Sequence, residues 1–214
     1  MHVVSLYLGA IATGGLKDFL LTIVSTVASL ILGILGAAGR LYGHPVVKVA
    51  INGYVELIRG LPAILQLFLI FFGLSQVGIS LSPLTAALIW LVAYGAGYAV
   101  EIFRSGIMEV NQGQREAAAA LGLSRRTAMR KVVLPQAFTA MLPPLTSFVV
   151  LQLKNTTLLY LVGYADIMYQ ARLGADATEM PGILYLMAAA AYLMMSLVIG
   201  WMGHRMEQRA AVYR

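Results

Sequence analysis

Charged residues are absent from four long runs of the chain, residues 19–39, 61–100, 132–153 and 181–203. A helix rises about 1.5 Å per residue, so roughly 20 apolar residues cross the hydrocarbon core of a bilayer. The first, third and fourth runs each predict one membrane helix, over residues 19–39, 133–153 and 182–203. The second run is long enough for two. Its break is expected at 75–83, where Gly78 and Pro83 punctuate a polar stretch, leaving spans over 61–77 and 84–100. The pattern predicts an all-α integral membrane protein, with five transmembrane helices in a single transmembrane domain over 1–214. Residues 3–16 are apolar but lack the basic start and small-residue cleavage site of a secretory signal. They are expected to lie against the outer interface before the first span.

Composition agrees with this class. The chain is 60% hydrophobic and only 11% charged, against about 25% charged in soluble domains, and its mean hydropathy is +0.81. Without cysteine, neither a disulfide framework nor a thiolate metal site is available. The net charge of +6 would suit nucleic acid, but its distribution along the chain points to membrane topology. All basic residues except Lys17, Lys154 and Arg172 fall in the segments 40–59, 104–131 and 204–214. By the positive-inside rule these segments are cytoplasmic, which puts the N-terminus outside (periplasmic) and the C-terminus inside. No internal repeat, inverted half or nucleic-acid-binding pattern is legible.

The largest of these polar segments, 111–135, has its own grammar. Asn111 can cap a helix whose third position is Gln114, and the four alanines 117–120 favour that helix. Gly122 is placed as a left-handed stop, Ser124 as the cap of a second, basic helix, and Pro135 where that helix bends into the next span. Glu116-Ala-Ala, then Gly122, then Val132-x-Leu134-Pro135 resembles the EAA loop of importer-type ABC transporter permeases. Further stretches extend the likeness. Tyr54-Val-Glu-Leu-Ile-Arg-Gly-Leu-Pro62, Ala99-Val-Glu-Ile-Phe-Arg104, Leu134-Pro-Gln-Ala137 and Leu153-Lys-Asn-Thr-Thr-Leu158 resemble the permease subunits of the polar amino acid uptake family.

That resemblance implies a cytoplasmic coupling helix between the third and fourth spans. Glu116, Ala117, Ala118 and Gly122 would form the joint with an ABC ATPase subunit. It also implies a second permease subunit, the same or related, and an extracytoplasmic solute-binding protein that delivers a small polar solute. The setting would be lipid of the bacterial inner membrane. No cofactor is expected on this chain. It has no Gly-x-x-x-x-Gly-Lys-Ser/Thr loop, so ATP and Mg belong to the partner, and the chain itself is not an enzyme. An intramembrane protease would need a nucleophile or metal motif inside the spans, whereas His2, His44 and His204 lie outside or at their edges. A channel filter is equally illegible.

Other residues carry two readings each. Arg59 is a cytoplasmic anchor, or introduces a helix break at Gly60, Leu61 and Pro62 whose backbone faces the substrate path. Glu101 and Arg104, three apart, are expected to form a structural ion pair. Lys154, Asn155 and Thr156, followed by Thr157, are the candidate substrate contacts within this subunit, although Lys154 alone could snorkel to headgroups. The family commonly has Asp where Asn155 stands, which argues against a strictly cationic substrate. Asp166, Arg172, Asp176 and Glu179 are expected in the outer loop, either merely solvated or docking the binding protein. Gly33, Gly36, Gly39, Gly95 and Gly97 mark close helix packing, within the subunit or with its mate.

Overall fold

A computed structural model describes residues 2–210. The described residues form eight helices and no strand. They are α1 His2–Tyr42, α2 Pro45–Gly60, α3 Ala63–Gln76, α4 Pro83–Glu109, α5 Gln112–Ala120, α6 Arg125–Val162, α7 Ile167–Thr178 and α8 Pro181–Ala210. Proline opens α2, α4 and α8, a position where its missing N–H costs nothing. Serine completes the start of α4: the Thr85 N–H donates to Ser82 Oγ at 3.1 Å.

Four of these helices are long and apolar enough to cross a membrane: Tyr7–Tyr42 within α1, then α4, α6 and α8. They overrun the uncharged runs at one end or both. α4 continues through Glu101 and Arg104 to Glu109, and α6 includes the basic helix expected as a separate piece of the polar segment 111–135, the elbow between the third and fourth expected spans. The join inside α6 is a π-helical turn at Met129–Val133, just before Pro135. Such a turn takes up a proline's missing hydrogen bond without breaking the helix.

Two expectations need revision. Residues 3–16 are not a separate interfacial segment, because α1 runs unbroken from His2 to Tyr42. No proline interrupts it, and Gly14 serves as a packing notch: a Cβ there would lie 2.8 Å from the Asp166 carbonyl. The expected second span, 61–77, is a 14-residue helix, α3, about 21 Å long by helical rise, shorter than the hydrocarbon core. α2 and α3 meet at 109°, and a fifth crossing exists only if the bent pair counts as one.

The bend has a chemical cause. Pro62 has no N–H to donate to the Ile58 carbonyl four residues back. Gln66, buried one turn into α3, supplies the missing donor: its Nε2 donates to Ile58 O at 2.8 Å and to Leu61 O at 2.9 Å.

α1 packs most extensively on α4. At Gly33 and Gly36 an added Cβ would come within 2.4 Å of Ala99 Cβ and Val100 Cγ2. At Gly95 it would meet Ser29 Oγ at 2.3 Å. These glycines therefore bring helices together inside the subunit. Polar side chains then tie the helices: Ser29 Oγ donates to Val92 O at 3.2 Å, and Gln152 Nε2 of α6 donates to Leu91 O at 3.0 Å.

α7 is locked between α1 and α8. The Ile167 N–H (3.2 Å) and the Tyr192 hydroxyl (2.9 Å) both donate to Asp18 Oδ2. Asp166 caps α7 by accepting the Tyr169 N–H at 2.6 Å. Asp166 is completely buried, so it is neither a solvated loop residue nor a surface for docking. Burial pushes its carboxyl up to about 7 against the pull of the Tyr169 N–H, and the nearby Asp18 adds to the rise. Arg172 and Asp176 do reach solvent, 3.8 Å apart.

Candidate functional site

The polar elbow is a short helix bracketed by local hydrogen bonds. The Gly113 N–H donates to Asn111 Oδ1 at 2.8 Å to start α5. At the other end Gly122 has φ +73. The Gly122 N–H donates to Ala119 O at 2.9 Å, and the Leu123 N–H to Ala118 O at 3.1 Å. This pair of bonds is a Schellman stop, which needs the left-handed backbone that glycine adopts freely. Gln114 does not reach back to complete a capping box. Its Oε1 accepts from Gln136 Nε2 of α6 at 3.4 Å, bracing the elbow against the next span.

Beneath the elbow, Val110, Val133, Ala137 and Met141 form a small apolar core. Ser124 caps α6 through the Thr127 N–H at 3.3 Å. The mount is therefore stiff while the outer face is open. Glu116, Ala117 and Gly122 are exposed, with Glu116 Oε1 accepting from Gln112 Nε2 at 2.8 Å. Ala118 faces the other way and is only 3% exposed. Leu121 was not singled out in the sequence, yet at 80% exposure it is an apolar side chain held fully in the open. A cleft of about 650 Å³ runs between the end of α4 and α5, lined by Met108, Glu109, Arg115, Glu116 and Ala119 among others.

Glu101 and Arg104 lie against each other, with Arg104 Nε donating to Glu101 Oε1 at 3.2 Å. Arg40 of α1 contacts the second oxygen of the same carboxylate. The group is thus a triad that clamps α1 to α4, and Arg40 is the member the sequence did not reveal.

The other candidate residues flank one aromatic ladder on α4. Trp90, Tyr94 and Tyr98 follow at four-residue spacing, with successive ring centroids 5.6 and 4.8 Å apart. The Tyr94 hydroxyl donates to that of Tyr98 at 3.1 Å and also contacts the Asn155 side chain. Asn155 and Thr156 are buried, whereas Lys154 is exposed and does not converge with them. Asn155 Nδ2 is buried, with the Tyr94 hydroxyl as its neighbour. On the other side of the ladder, Ile58 packs on Gly97 and the Tyr54 hydroxyl donates to Ala93 O, which positions the bend at Gly60, Leu61 and Pro62. Those three residues are exposed. The sequence signal for the ladder was the recurrence of aromatics at positions 90, 94 and 98 in an uncharged span. Among the described residues, no group of three or more His, Asp or Glu side chains could hold a metal ion.

The fold and elbow define a multi-pass helical membrane protein with one rigidly mounted polar helix presented to water. The family model for the binding-protein-dependent transport system inner membrane component matches residues 29–212, and the chain belongs to that family. A probable glutamine ABC transporter permease protein of Bacillus subtilis (strain 168), GlnM, is 31% identical over 196 residues. That alignment covers 92% of this chain and 91% of the relative. The octopine transport system permease protein OccQ of Agrobacterium tumefaciens (strain Ach5) is 32% identical over 193 residues, covering 85% and 81%. Among solved structures, an amino acid ABC transporter crystallised with histidines superposes with a TM-score of 0.92 at 31% identity, covering 96% of each chain. The inward-facing MetNI methionine ABC transporter gives 0.76 at 19% identity over 94% of this chain and 96% of its own, a likeness of fold.

Proposed function

We propose that this chain is the permease subunit of an ATP-driven importer for a polar amino acid or amino acid derivative, in the bacterial inner membrane. The bent α2–α3 pair counts as the second of five spans. The N-terminus is periplasmic, and the elbow and C-terminus are cytoplasmic, following the distribution of Lys and Arg. Two such subunits, identical or related, enclose the path. An extracytoplasmic binding protein delivers the solute from the α7 side. The non-catalytic permease couples to a separate ATPase that holds ATP and Mg.

The observation that carries this reading is α5 itself. Its small outer face of Ala117 and Gly122 allows close approach, Glu116 offers a charge, and Leu121 offers an apolar knob. Because α5 is fixed to α4 and α6 through Arg115–Ile107 O, Gln114–Gln136 and the Val110 core, a displacement of α5 must move those helices as bodies. This is the rigid coupling that alternating access requires. ATP-driven closure of the ATPase biases the equilibrium between inward- and outward-facing states.

Substrate contacts are assigned to the neighbourhood of Asn155, Thr156 and the Tyr94–Tyr98 hydroxyls, with Gly60, Leu61 and Pro62 across α4. Lys154 contributes charge from the rim. A neutral amide beside the Tyr94 hydroxyl suits a zwitterionic or carboxamide-bearing solute better than a strictly cationic one. The relatives named for glutamine and octopine fit the same chemistry.

Reconstitution tests the proposal. Proteoliposomes with this chain, its ATPase and its binding protein should accumulate a labelled polar amino acid only with internal ATP. They should lose accumulation with Gly122→Asp or Glu116→Lys. Full uptake by either variant would remove the elbow from the mechanism.

A further inference from the structure

An apolar groove of about 310 Å³ lies between α1, α4 and α6, apart from the elbow cleft and the tyrosine ladder. Ile34, Ala38, Phe103, Ile107, Leu134 and Phe138 are among the side chains that line it. On α6 two cations stand within one turn before the groove-lining Leu134. Arg130, Leu134 and Phe138 recur at four-residue spacing and share one helix face. Lys131 stands three residues before Leu134, and both cations are exposed. Glu101, the carboxylate on the neighbouring stretch of α4, is occupied by Arg40 and Arg104 and leaves the added positive charge uncancelled.

The geometry points to a binding site for an anionic phospholipid, with one acyl chain in the groove and the phosphate at Arg130 and Lys131. Two arguments favour lipid over a protein segment. Every lining helix is one of the four apolar enough to span a membrane, so the groove opens where acyl chains are the solvent. The cations precede the groove-lining Leu134 on α6, at the cytoplasmic end that the distribution of Lys and Arg assigns to that helix, where anionic headgroups lie. Chain burial alone cannot choose a lipid, since lipid tails are as apolar as the leucines they touch. Selectivity must come from the headgroup, where each Lys or Arg attracts an anionic lipid by roughly a factor of five.

The test is native mass spectrometry of the purified transporter complex titrated with phosphatidylglycerol or with phosphatidylcholine of the same acyl chains. Wild type should retain phosphatidylglycerol preferentially. Replacing both cations (Arg130→Gln with Lys131→Gln) should reduce that preference about thirtyfold while leaving phosphatidylcholine binding unchanged. Ala38→Phe, which fills the groove from an exposed position, should displace the lipid with the cations intact. Equal retention of the two lipids by wild type would overturn the assignment, as would an undiminished preference in the double variant. Loss of permease dimerisation in Ala38→Phe, with lipid retention unchanged, would show a second copy in the groove and overturn it as well.

Discussion

Removing the Gln66 side-chain amide should weaken the bend between α2 and α3 by an amount that depends on Pro62. In the native chain the Ile58 carbonyl has lost its ordinary helical donor to Pro62, and Gln66 Nε2 replaces it at 2.8 Å while also serving Leu61 O at 2.9 Å. Gln66→Leu keeps the approximate volume but removes both bonds. Hydrogen bonds inside membrane proteins are worth about 0.6 kcal/mol each on average and up to about 1.7, so the two together predict a loss of about 1–3 kcal/mol. Stability would be read from denaturation of the detergent-solubilised protein with increasing sodium dodecyl sulfate. The informative comparison is a double-mutant cycle with Pro62→Ala, which restores an N–H at position 62. In that background Ile58 can recover a donor within its own helix, so Gln66→Leu should cost about half as much, a coupling of the size expected for residues sharing one network. An equal cost in both backgrounds would refute the account of the bend, as would no cost in either.

Three further outcomes follow from the same geometry. Gly14→Ala places a methyl group 2.8 Å from the Asp166 backbone and should destabilise the α1–α7 contact by about 1–3 kcal/mol, measured as a lowered thermal midpoint in detergent. Asp166 has its folded-state pKa raised to about 7 from 3.8. Between those values the folded state binds more protons than the unfolded one, so stability should fall as pH rises from 4 to 7 and then level off. Asp166→Asn should flatten that slope in thermal unfolding across pH 4–8. Asn155→Ala should change the selectivity of ATP-driven uptake among amino acids more than the ATPase rate, measured by competition in proteoliposomes. Unchanged selectivity would place the substrate contacts elsewhere.

The elbow was legible from sequence because its grammar is local. Asn111, Ser124 and Gly122 act on hydrogen bonds within a few residues, and each such bond is present in the structure. The long apolar helices were legible from the absence of charge, but their ends were not. Glu101 and Arg104 neutralise each other along α4, so the helix continues past them. What stayed hidden is tertiary. Asp166 looked like an exposed loop acid because nothing local shows that Gly14 of α1 closes over its backbone and Asp18 binds the next N–H. The continuity of α1 was missed for a related reason, since Lys17 and Asp18 end the uncharged run at residue 19 and nothing local shows that Ile167 and Tyr192 satisfy Asp18. Gln66 was visible as a polar residue in an uncharged run, but its role depends on a carbonyl eight residues earlier, across a bend that had first to be seen.

The central claim is that the outer face of α5 is the joint with an ATPase, and thiol protection tests it most directly. The chain has no cysteine, so Ala117→Cys and Ala118→Cys each carry a single thiol. Ala117 is exposed and Ala118 is only 3% exposed. A membrane-impermeant maleimide applied to inside-out vesicles should label position 117 rapidly in the permease alone and position 118 slowly. Assembly with the ATPase should protect position 117 by at least tenfold. Equal labelling of position 117 with and without a stoichiometrically bound ATPase would contradict the claim.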